Sequence, residues 1–595
     1  MNTNYCESPN EPSRRKTTEV WVGDTPLGGD NPIRVQTMAT ASTMDTEAVV
    51  QQCAAAARAG ASYMRLTTQG TREAANLANI KAALRQRGIS LPLIADVHFN
   101  PAAAMKAARH VDKVRINPGN FIDPRAKLQG ATYTDEEYRA DLQRIEAKLL
   151  ELIELCRQRN VAIRVGVNHG SLSDRIMSRY GNTPQGMVES AMEFLRLFRQ
   201  HGFEAVVVSM KSSSTRTMVQ AVRLLVATMN AEGMHYPLHL GVTAAGDGEQ
   251  GRIKSAVGIG ALLADGIGDT IRVSLTEPPE AEIPVAQELV AHFAQRPTQP
   301  APLPLAQLPY NPYSYSRRPS YQWNGLVGGD CPPVVVELTN DLPPSERADV
   351  FLTADMRNDD TSTFRLKTLA DAMAGHEGIF VAVHHADLLY PATVEWLQSA
   401  TDRVLVLSAH ASSGPSEQRA AFALLHEHGI QLPAIIHRHY EGLNLPSLQL
   451  RAAADIGPLL LDGLGDGIML TATDIDNTEL CATAFGILQA AQVRISQPEY
   501  IACPGCGRTL YDLQNTLQRV RQATAHLKGL KIGVMGCIVN GPGEMADADY
   551  GYVGAAKGRI SLYKGQTLVK HNIPEEQAIG ELVELIKAHG DWREP

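Results

Sequence analysis

The chain has 595 residues, of which 44% are hydrophobic and 20% are charged, and its formal net charge is -9 at pH 7. This length exceeds what one hydrophobic core supports and predicts three or four domains. The negative charge argues against a general nucleic-acid surface, so an anionic ligand would need locally placed cations. The chain has no uninterrupted apolar run of about 18 residues, which predicts no membrane span.

The start of the chain is polar and lacks the apolar stretch of a signal peptide. Five of the eight cysteines occur singly, which is not the pattern of a disulfide framework and favours a reducing compartment. Together these features predict a bacterial cytoplasmic protein.

Short apolar strands alternate with amphipathic helical patterns from about residue 30 to residue 285. Eight strand–helix units in this span predict a (β/α)8 TIM barrel. The alternation alone also fits an open doubly wound sheet, but the count and the side chains at the strand ends favour the barrel. The predicted strands cover 33–35, 63–66, 93–95, 113–116, 162–167, 205–209, 238–242 and 270–273.

Polar and charged side chains fall at the ends of these strands, where such barrels carry their functional sites. Five of the eight strand ends bear a cation. Guanidinium and ammonium groups suit phosphate, and the neighbouring amides and hydroxyls suit other oxygens, so the pattern indicates a small ligand such as a diphosphate. The set comprises Arg65, Asp96, His98, Arg115, Asn117, Arg164, Asn168, Ser209, Lys211, Thr243, Arg272 and Ser274.

Each of these residues also has a simpler interpretation. A single strand-end arginine is more often ion-paired, and His98 alone is more often a hydrogen-bonded loop histidine. Asp96 and His98 are also potential ligands of a divalent metal, an alternative that the surrounding cations disfavour by repulsion.

The region after the barrel repeats part of its pattern. Segment 455–470 matches segment 258–273 at nine of sixteen positions, at an offset of 197 residues. The region therefore reads as a second, diverged barrel, with convergence on a common helix-turn-strand solution as the alternative. Because the position of Arg272 carries Met469 in the copy, we predict a structural role for this inserted domain.

Three cysteines near the C-terminus indicate a metal centre. Cys503 and Cys506 form a Cys-x-x-Cys pair, and Cys537 follows 31 residues later. Three thiolates suit an iron–sulfur cluster with one iron left to a weaker ligand or a substrate. Glu544 follows Cys537 across a Gly-Pro-Gly turn and would supply an exchangeable carboxylate. Structural zinc is the alternative, although a zinc ribbon needs a fourth cysteine or histidine.

These motifs together resemble the 4-hydroxy-3-methylbut-2-enyl diphosphate synthase family in its three-domain form. The resemblance covers both terminal domains, and the region at about 300–495 is similar to the insert of that form. The motifs that carry it span residues 34–38, 95–98, 113–120, 164–171, 266–274 and 536–544.

The resemblance implies an enzyme of the methylerythritol phosphate isoprenoid pathway with a 4Fe–4S cluster. Such an enzyme opens the ring of 2-C-methyl-D-erythritol 2,4-cyclodiphosphate and expels its C3 hydroxyl as water, with electrons from flavodoxin or ferredoxin. It implies Cys503, Cys506, Cys537 and Glu544 as cluster ligands, Arg65, Arg115, Arg164, Lys211, Arg272 and Ser274 as diphosphate-binding positions, and Asp96, His98, Asn117 and Asn168 as polar pocket residues. Two-domain relatives close the site with a partner subunit, so a homodimer and closure within one chain both remain open.

One position departs from the family pattern. Members usually read Gly-Val/Ile-Thr-Glu-Ala-Gly after the seventh strand, whereas this chain has Ala244 in place of the glutamate. Either the substitution slows turnover, or Asp247 or Glu249 replaces the missing carboxylate. We hypothesise that the chain binds substrate and cluster but is catalytically impaired.

Two other readings remain open from the residues alone, a zinc-stabilised barrel lyase or transferase acting on a phosphorylated substrate and a non-enzymatic iron–sulfur sensor. The predicted organisation is an N-terminal extension (1–29), a catalytic barrel (30–295), a linker (296–333), an inserted barrel-like domain (334–495) and a C-terminal α+β cluster domain (496–595).

Overall fold

The computed structural model describes most of the chain. The described residues are 5–8, 13–122, 133–294, 308–339, 347–353, 363–375, 379–410, 413–539 and 541–594.

The first domain is the predicted TIM barrel. Its parallel strands run in the order β8-β7-β6-β5-β4-β3-β10-β9, and a parallel bridge between Val208 and Leu238 joins the two ends into a ring. The strands are β3 (Arg34–Met38), β4 (Tyr63–Thr68), β5 (Leu93–Val97), β6 (Lys113–Ile116), β7 (Ala162–Asn168), β8 (Val206–Lys211), β9 (His239–Leu240) and β10 (Thr270–Ile271).

Helices with clear start and stop signals surround this barrel. The Asp45 side chain accepts from the Ala48 amide at the start of α1, and Thr134 forms a capping box with Glu137 at the start of α4. Asn160 ends α4 in the left-handed conformation. The helices are α1 (Thr46–Arg58), α2 (Thr71–Gln86), α3 (Pro101–Ala107), α4 (Asp135–Arg159), α5 (Asp174–Tyr180), α6 (Pro184–Gln200), α7 (Thr215–Ala231), α8 (Gly248–Ala264) and α9 (Glu282–Ala294).

A hairpin of β1 (Val20–Val22) and β2 (Thr25–Leu27) precedes the barrel. Its buried side chains Val20, Val22 and Leu27 pack against apolar residues of the barrel strands, including Tyr63 and Ile94. Because the strands are parallel and these contacts lie near their amino ends, the hairpin covers the end of the barrel opposite the functional mouth.

The inserted region forms a second closed parallel barrel, which confirms the prediction drawn from the internal repeat. Seven strands close the ring within the described residues. They are β11 (Val334–Thr339), β12 (Val350–Thr353), β13 (Thr363–Thr368), β14 (Phe380–His384), β15 (Val404–Ser408), β16 (Ala434–Tyr440) and β17 (Gly467–Ala472), with helices α10 (Leu369–Met373), α11 (Pro391–Gln398), α12 (Ser416–Glu427), α13 (Leu445–Leu461) and α14 (Asn477–Ala490).

The repeated segments are the ones that join the two barrels. A Cβ at Gly260 of α8 would lie 2.9 Å from the Cα of Ala454, and one at Gly457 of α13 would lie 2.9 Å from side-chain carbons of Val257. The matched glycines therefore let the two helices pack closely. This packing explains why the glycines recur at the 197-residue offset.

A buried network of ion pairs crosses the same interface. Arg223 donates to Asp265 (2.8 Å) of its own barrel and also to Asp462 of the second barrel. Arg419 of the second barrel completes the network through Asp265 (2.9 Å) and Asp462 (3.2 Å). Since all four side chains are almost fully buried, the charges stabilise the interface only while all of them are paired.

The C-terminal domain is the predicted α+β unit. Its sheet runs in the order β18-β19-β20-β21-β22, with three parallel strands followed by antiparallel ones. None of the described helices has the length and apolar character needed to cross a membrane. The elements are β18 (Glu499–Ala502), β19 (Lys531–Met535), β20 (Tyr550–Ala556), β21 (Arg559–Lys564), β22 (Thr567–Pro574), α15 (Leu513–Thr524), α16 (Gly541–Glu544) and α17 (Glu575–Ala588).

Candidate functional site

The three C-terminal cysteines and Glu544 line one cavity together with residues of the first barrel. Cys503 follows β18, Cys537 follows β19 and Glu544 ends α16. The same cavity is lined by Arg65 and Asp96 of the barrel. The fold therefore brings the cysteine loops and the carboxyl ends of the barrel strands together within one chain.

The donor set suits a thiolate-ligated metal centre. The Gly536 amide lies 3.3 Å from Cys503 Sγ, a backbone contact of the kind that supports a metal-bound sulfur. Burial raises the pKa of the Cys503 and Cys537 thiols and of the Glu544 carboxyl, so these groups favour their neutral forms unless a cationic centre lies among them. Nearby Arg115 partly opposes the shift at Glu544.

Arg115 is the hub of the barrel side of the site. Its guanidinium donates to Asp96 Oδ1 (3.1 Å), to the Gly166 carbonyl (2.9 Å) and to Asn168 Oδ1 (3.3 Å). Burial would raise the pKa of Asp96, but Arg65 and Arg115 outweigh it and hold that pKa well below its usual range. Asp96 is therefore an ionised carboxylate that fixes the orientation of Arg115.

His98 is a neutral imidazole in this arrangement. Burial, reinforced by Arg115, lowers its pKa to about 3. Arg115 also donates to His98 Nε2, while His98 Nε2 lies 3.7 Å from Asp96 Oδ1. Because a guanidinium contacts both side chains, the position that a metal bound by Asp96 and His98 would need already holds a cation. This geometry argues against the metal alternative.

Two further cations, Arg164 and Lys211, are buried in the barrel. Arg164 occupies the third position of β7, four residues before the strand end where the sequence pattern placed it, and is 1% exposed. Its Nε and Nη1 atoms have no hydrogen-bond partner among the described residues. Burial and the neighbouring cations lower the pKa of Arg164 and Lys211 well below their usual values. An anion bound between them would relieve this cost.

Arg272 differs from Arg164 and Lys211 because its guanidinium is already paired with a carboxylate. Its guanidinium makes a two-point contact with Glu282, with N–O distances of 3.0 and 2.9 Å. Glu282 begins α9, ten residues further on, and the sequence analysis did not identify it. Arg272 therefore adds less uncompensated charge to the site than the strand-end pattern suggested.

The remaining predicted polar residues lie around the same mouth. Asn117 Nδ2 donates to Ser171 Oγ (3.0 Å), and Asn117 Oδ1 accepts from the Gly119 amide (3.1 Å). Ser209 and Ser274 are buried, and the Thr243 amide donates to the Ser212 carbonyl (3.0 Å). Asn117 is thus held by its own loop and by the loop that follows β7, with both ends of its amide engaged.

Arg508 is a site residue that the sequence analysis missed. It lines the cavity with the cysteines, donates to the Asp96 carbonyl (3.3 Å) and places Nη1 3.8 Å from Asp96 Oδ2. The sequence does contain a signal for Arg508, because it lies two residues after Cys506. A cation inside a loop of metal ligands is placed to face the site and not the solvent. Arg508 thus supplies a cation from the C-terminal domain to the barrel mouth.

Several contacts hold the C-terminal domain against the mouth of its own barrel. Ala245 and Ala502 form a parallel backbone bridge, and Lys254 of α8 pairs with Glu499 at 2.7 Å. At the tightest approach, a Cβ on Gly170 would lie 2.3 Å from the Gly543 carbonyl oxygen. The structure thus has the closure within one chain that the sequence left undecided.

Replacing Gly170 with alanine should hold the two domains apart. The added Cβ would also meet the Gly543 carbonyl carbon at 2.9 Å, and backbone cannot yield as a side-chain end does. We expect turnover to fall about 100-fold, since a misplacement of about 1 Å has this effect on catalysis. Steady-state kinetics measure the loss of turnover, and the metal content of the purified variant shows separately whether the cysteine site still binds metal.

Gly202 provides the matched control because its φ of +59° resembles the +77° of Gly170, while a Cβ there would meet nothing within 4 Å. Gly202→Ala carries the same left-handed backbone cost without the clash. Equal losses in the two variants would attribute the effect to backbone strain and contradict the closure argument.

Ala244 lies inside this closed interface. It is fully buried at a φ of +50° and packs with Met535, Met545 and Val553 of the C-terminal domain. Ala244, Asp247 and Glu249 are all outside the set of residues that line the cysteine cavity, although Met535, which packs in the same apolar cluster as Ala244, belongs to that lining. Asp247 pairs with Arg521 at 2.7 Å, and the pKa of Glu249 is raised by burial and by Glu479 of the second barrel.

Comparisons with known proteins agree with this architecture. Residues 17–287 match the family model described as the GcpE TIM-barrel domain, and residues 499–588 match the GcpE protein C-terminal domain. The chain is 50% identical to the 4-hydroxy-3-methylbut-2-en-1-yl diphosphate synthase (flavodoxin) of Parabacteroides distasonis, covering 98% of this chain and 99% of the relative.

Two other relatives extend the similarity. A protein with the same name from Akkermansia muciniphila is 44% identical over 100% of both chains. The 4-hydroxy-3-methylbut-2-en-1-yl diphosphate synthase (ferredoxin), chloroplastic, of Oryza sativa subsp. japonica is 40% identical over 99% of this chain and 89% of the relative. With both family domains matched and identity this high along the whole chain, the protein belongs to the GcpE family of 4-hydroxy-3-methylbut-2-en-1-yl diphosphate synthases.

Proposed function

We propose that this chain reductively opens 2-C-methyl-D-erythritol 2,4-cyclodiphosphate to 4-hydroxy-3-methylbut-2-enyl diphosphate. The reaction takes up two electrons, breaks a carbon–oxygen bond of the ring and releases the C3 hydroxyl as water with one added proton. The observation that carries the proposal is the single cavity lined by three cysteines, Glu544 and the cation-rich barrel mouth.

The cations of the barrel would bind the diphosphate. Within this site, two carboxylates, Asp96 and Glu544, provide most of the negative charge, because Glu282 is already paired with Arg272. The cations that they face are Arg65, Arg115, Arg164, Lys211 and Arg508. A diphosphate carries the negative charge that the arrangement lacks. Neutral polar residues at the mouth are proposed to orient the oxygens of the diphosphate and the hydroxyl groups of the carbon chain. They are Ser209, Ser274, Asn117, Asn168 and Thr243.

Cys503, Cys506, Cys537 and Glu544 are proposed to hold a 4Fe–4S cluster. When bound, such a cluster would deliver the two electrons one at a time to the substrate. Of the four donors, Glu544 is the carboxylate and therefore the weakest ligand for iron, which suits a position that substrate must reach. The interdomain contacts would limit the access of water to this space, in which the three cysteines are half-buried.

The donor of these electrons is proposed to be flavodoxin or ferredoxin, as the names of the relatives indicate for those proteins. We also expect the chain to act in the cytoplasm.

Restoring a glutamate at position 244 should raise turnover. The position adjoins Met545, next to the proposed ligand Glu544, and the surrounding methionines can rearrange around a longer side chain. A carboxyl group there would donate the proton that leaves with the hydroxyl, and general acids contribute about 100-fold or more. We expect Ala244→Glu to increase kcat by about 100-fold, measured under anaerobic steady-state conditions.

The matched control is Ala244→Gln, which has nearly the same shape but cannot donate a carboxyl proton. A gain in the glutamate variant alone supports an impaired native site. If Ala244→Glu shows no gain over the native chain, the hypothesis of impairment is wrong.

Anaerobic purification followed by iron, sulfide and turnover measurements tests the proposed function. We expect about four irons and four sulfides per chain, a brown protein and reduction of the cyclodiphosphate with reduced flavodoxin. A colourless protein with zinc in place of iron would favour the lyase or transferase reading. A brown protein that does not bind the cyclodiphosphate would favour the sensor reading.

A further inference from the structure

A cluster of histidines and a glutamate lies at the mouth of the second barrel, away from the site described above. His384, His385 and Glu417 each present one potential ligand atom, and these atoms lie within 4.8 Å of one another. His384 is the last residue of β14, His385 follows it directly, and Glu417 lies in the first turn of α12 after β15. We call these three residues the His–Glu cluster.

The position of the cluster in the second barrel corresponds to the substrate side of the first. Counting back from the last strand, β14 and β15 take the places that β7 and β8 take in the first barrel. His384 pairs with Ser408 at the ends of the former two strands, as Asn168 pairs with Lys211 at the ends of the latter two. The cluster therefore lies at the end of the barrel where this fold builds functional sites.

Glu417 is prepared as an anionic ligand. Its side chain is 8% exposed and accepts from the His410 backbone amide at 2.8 Å. Burial would raise the pKa of Glu417, but this hydrogen bond and the His410 ring outweigh burial and lower it. The carboxylate thus stays ionised and is held in place by backbone, as metal-binding carboxylates are.

His385 provides a neutral imidazole with a nitrogen available for coordination. Its Nδ1 atom is buried and has no hydrogen-bond partner among the described residues. Burial, with a further contribution from His384, lowers the pKa of His385. A buried nitrogen without a partner is costly, and a bound cation would supply the missing interaction.

His384 completes the set. Its Nε2 lies 3.3 Å from Glu417 Oε2, and its ring centroid lies 4.3 Å from that of His385. Its Nδ1 accepts a long bond, 3.4 Å, from the Ala386 amide. Since a neutral imidazole carries one proton, a metal at Nε2 would move that proton to Nδ1, so the metal would take the place of the Nε2–Glu417 contact and displace the weak Ala386 contact.

We propose that His384, His385 and Glu417 bind a divalent metal ion of the zinc class at the mouth of the second barrel. Two imidazoles and one carboxylate form a ligand set that zinc uses when it keeps one position open. His410, whose exposed ring lies 3.0 Å from Glu417 Oε1, stands beside this open position. The inserted domain, predicted from Met469 to be structural only, would then carry a metal site of its own.

Zinc content of the full-length, cluster-loaded protein tests this site. The protein is dialysed anaerobically against buffered Zn²⁺, and bound zinc is measured by mass spectrometry and X-ray absorption. We expect one zinc per chain in addition to the iron, surrounded by nitrogen and oxygen at about 2.0–2.1 Å. Sulfur at about 2.3 Å would place the ion on the cysteines and overturn the proposal.

Variants locate the ion. We expect His385→Ala and Glu417→Gln to lose the bound zinc, whereas His426→Ala should retain it because His426 is exposed near the far end of the same helix as Glu417. If Glu417→Gln fails to fold, His385→Ala still tests the site. The His385 Nδ1 atom has no hydrogen-bond partner among the described residues, so its removal breaks no such bond. Absence of zinc in the native protein, or equal zinc in all three variants, would overturn the proposal.

Discussion

Replacing Cys537 with serine is expected to abolish turnover and most of the bound iron. A serine hydroxyl remains protonated near neutral pH and is a poor ligand for iron compared with a thiolate. The other donors, Cys503, Cys506 and Glu544, line the same cavity and cannot replace the lost sulfur from their present positions. Iron and sulfide analysis, the visible spectrum and steady-state kinetics measure the effect.

Cys331→Ser is the matched control. Cys331 is a half-buried free cysteine that lies outside the cavity lining. We expect this variant to keep native iron content and rate. Equal iron in Cys537→Ser and the native protein would contradict the assignment of Cys537 as a ligand.

Replacing Arg115 with methionine is expected to lower kcat/KM by about 1,000-fold, the loss that follows removal of one preorganised donor from a catalytic site. The substitution should also destabilise the fold by about 3–5 kcal/mol, because the buried Asp96 carboxylate would lose one of the two arginines that hold its charge. The substitution also frees Asn168 and removes a cation from the proposed diphosphate site. Kinetics with the cyclodiphosphate and urea unfolding separate the catalytic effect from the loss of stability.

Two further variants make this result specific. Arg115→Lys retains the charge but not the forked geometry that reaches Asp96, Gly166 and Asn168, so we expect it to recover only part of the rate. Arg109→Met, at an exposed arginine near the end of α3, should behave as the native protein. A normal rate in Arg115→Met would show that the guanidinium does not act on substrate.

Much of the fold follows from the sequence pattern. The eight barrel strands alternate with helices that carry their own caps, and the second barrel repeats the glycines and aspartates of the first because both barrels use them for the same packing. The three cysteines and Glu544 line one cavity, since they lie in the loops and the short helix α16 that follow the neighbouring strands β18 and β19, and their role as ligands stays a prediction.

Other features depend on contacts between segments that are distant in the chain. Glu282 neutralises Arg272 only because α9 returns to the barrel mouth, and local sequence does not reveal that pairing. Arg164 lies deep because it is the third residue of a strand that begins at 162, as predicted, and continues to Asn168, so that only Asn168 reaches the strand end. Closure by the chain's own C-terminal domain rests on contacts such as the Ala245–Ala502 bridge and the Lys254–Glu499 pair, which join segments that are far apart in the chain.

Co-expression of two inactive chains tests the central claim that one chain supplies both halves of the site. Arg115→Met leaves an intact cysteine domain, and Cys537→Ser leaves an intact barrel. We predict that chains produced together recover no turnover, because each contains one defective half of its own site. Recovery of about a quarter of the native rate, as random pairing in a dimer with exchanged domains would give, would contradict closure within one chain.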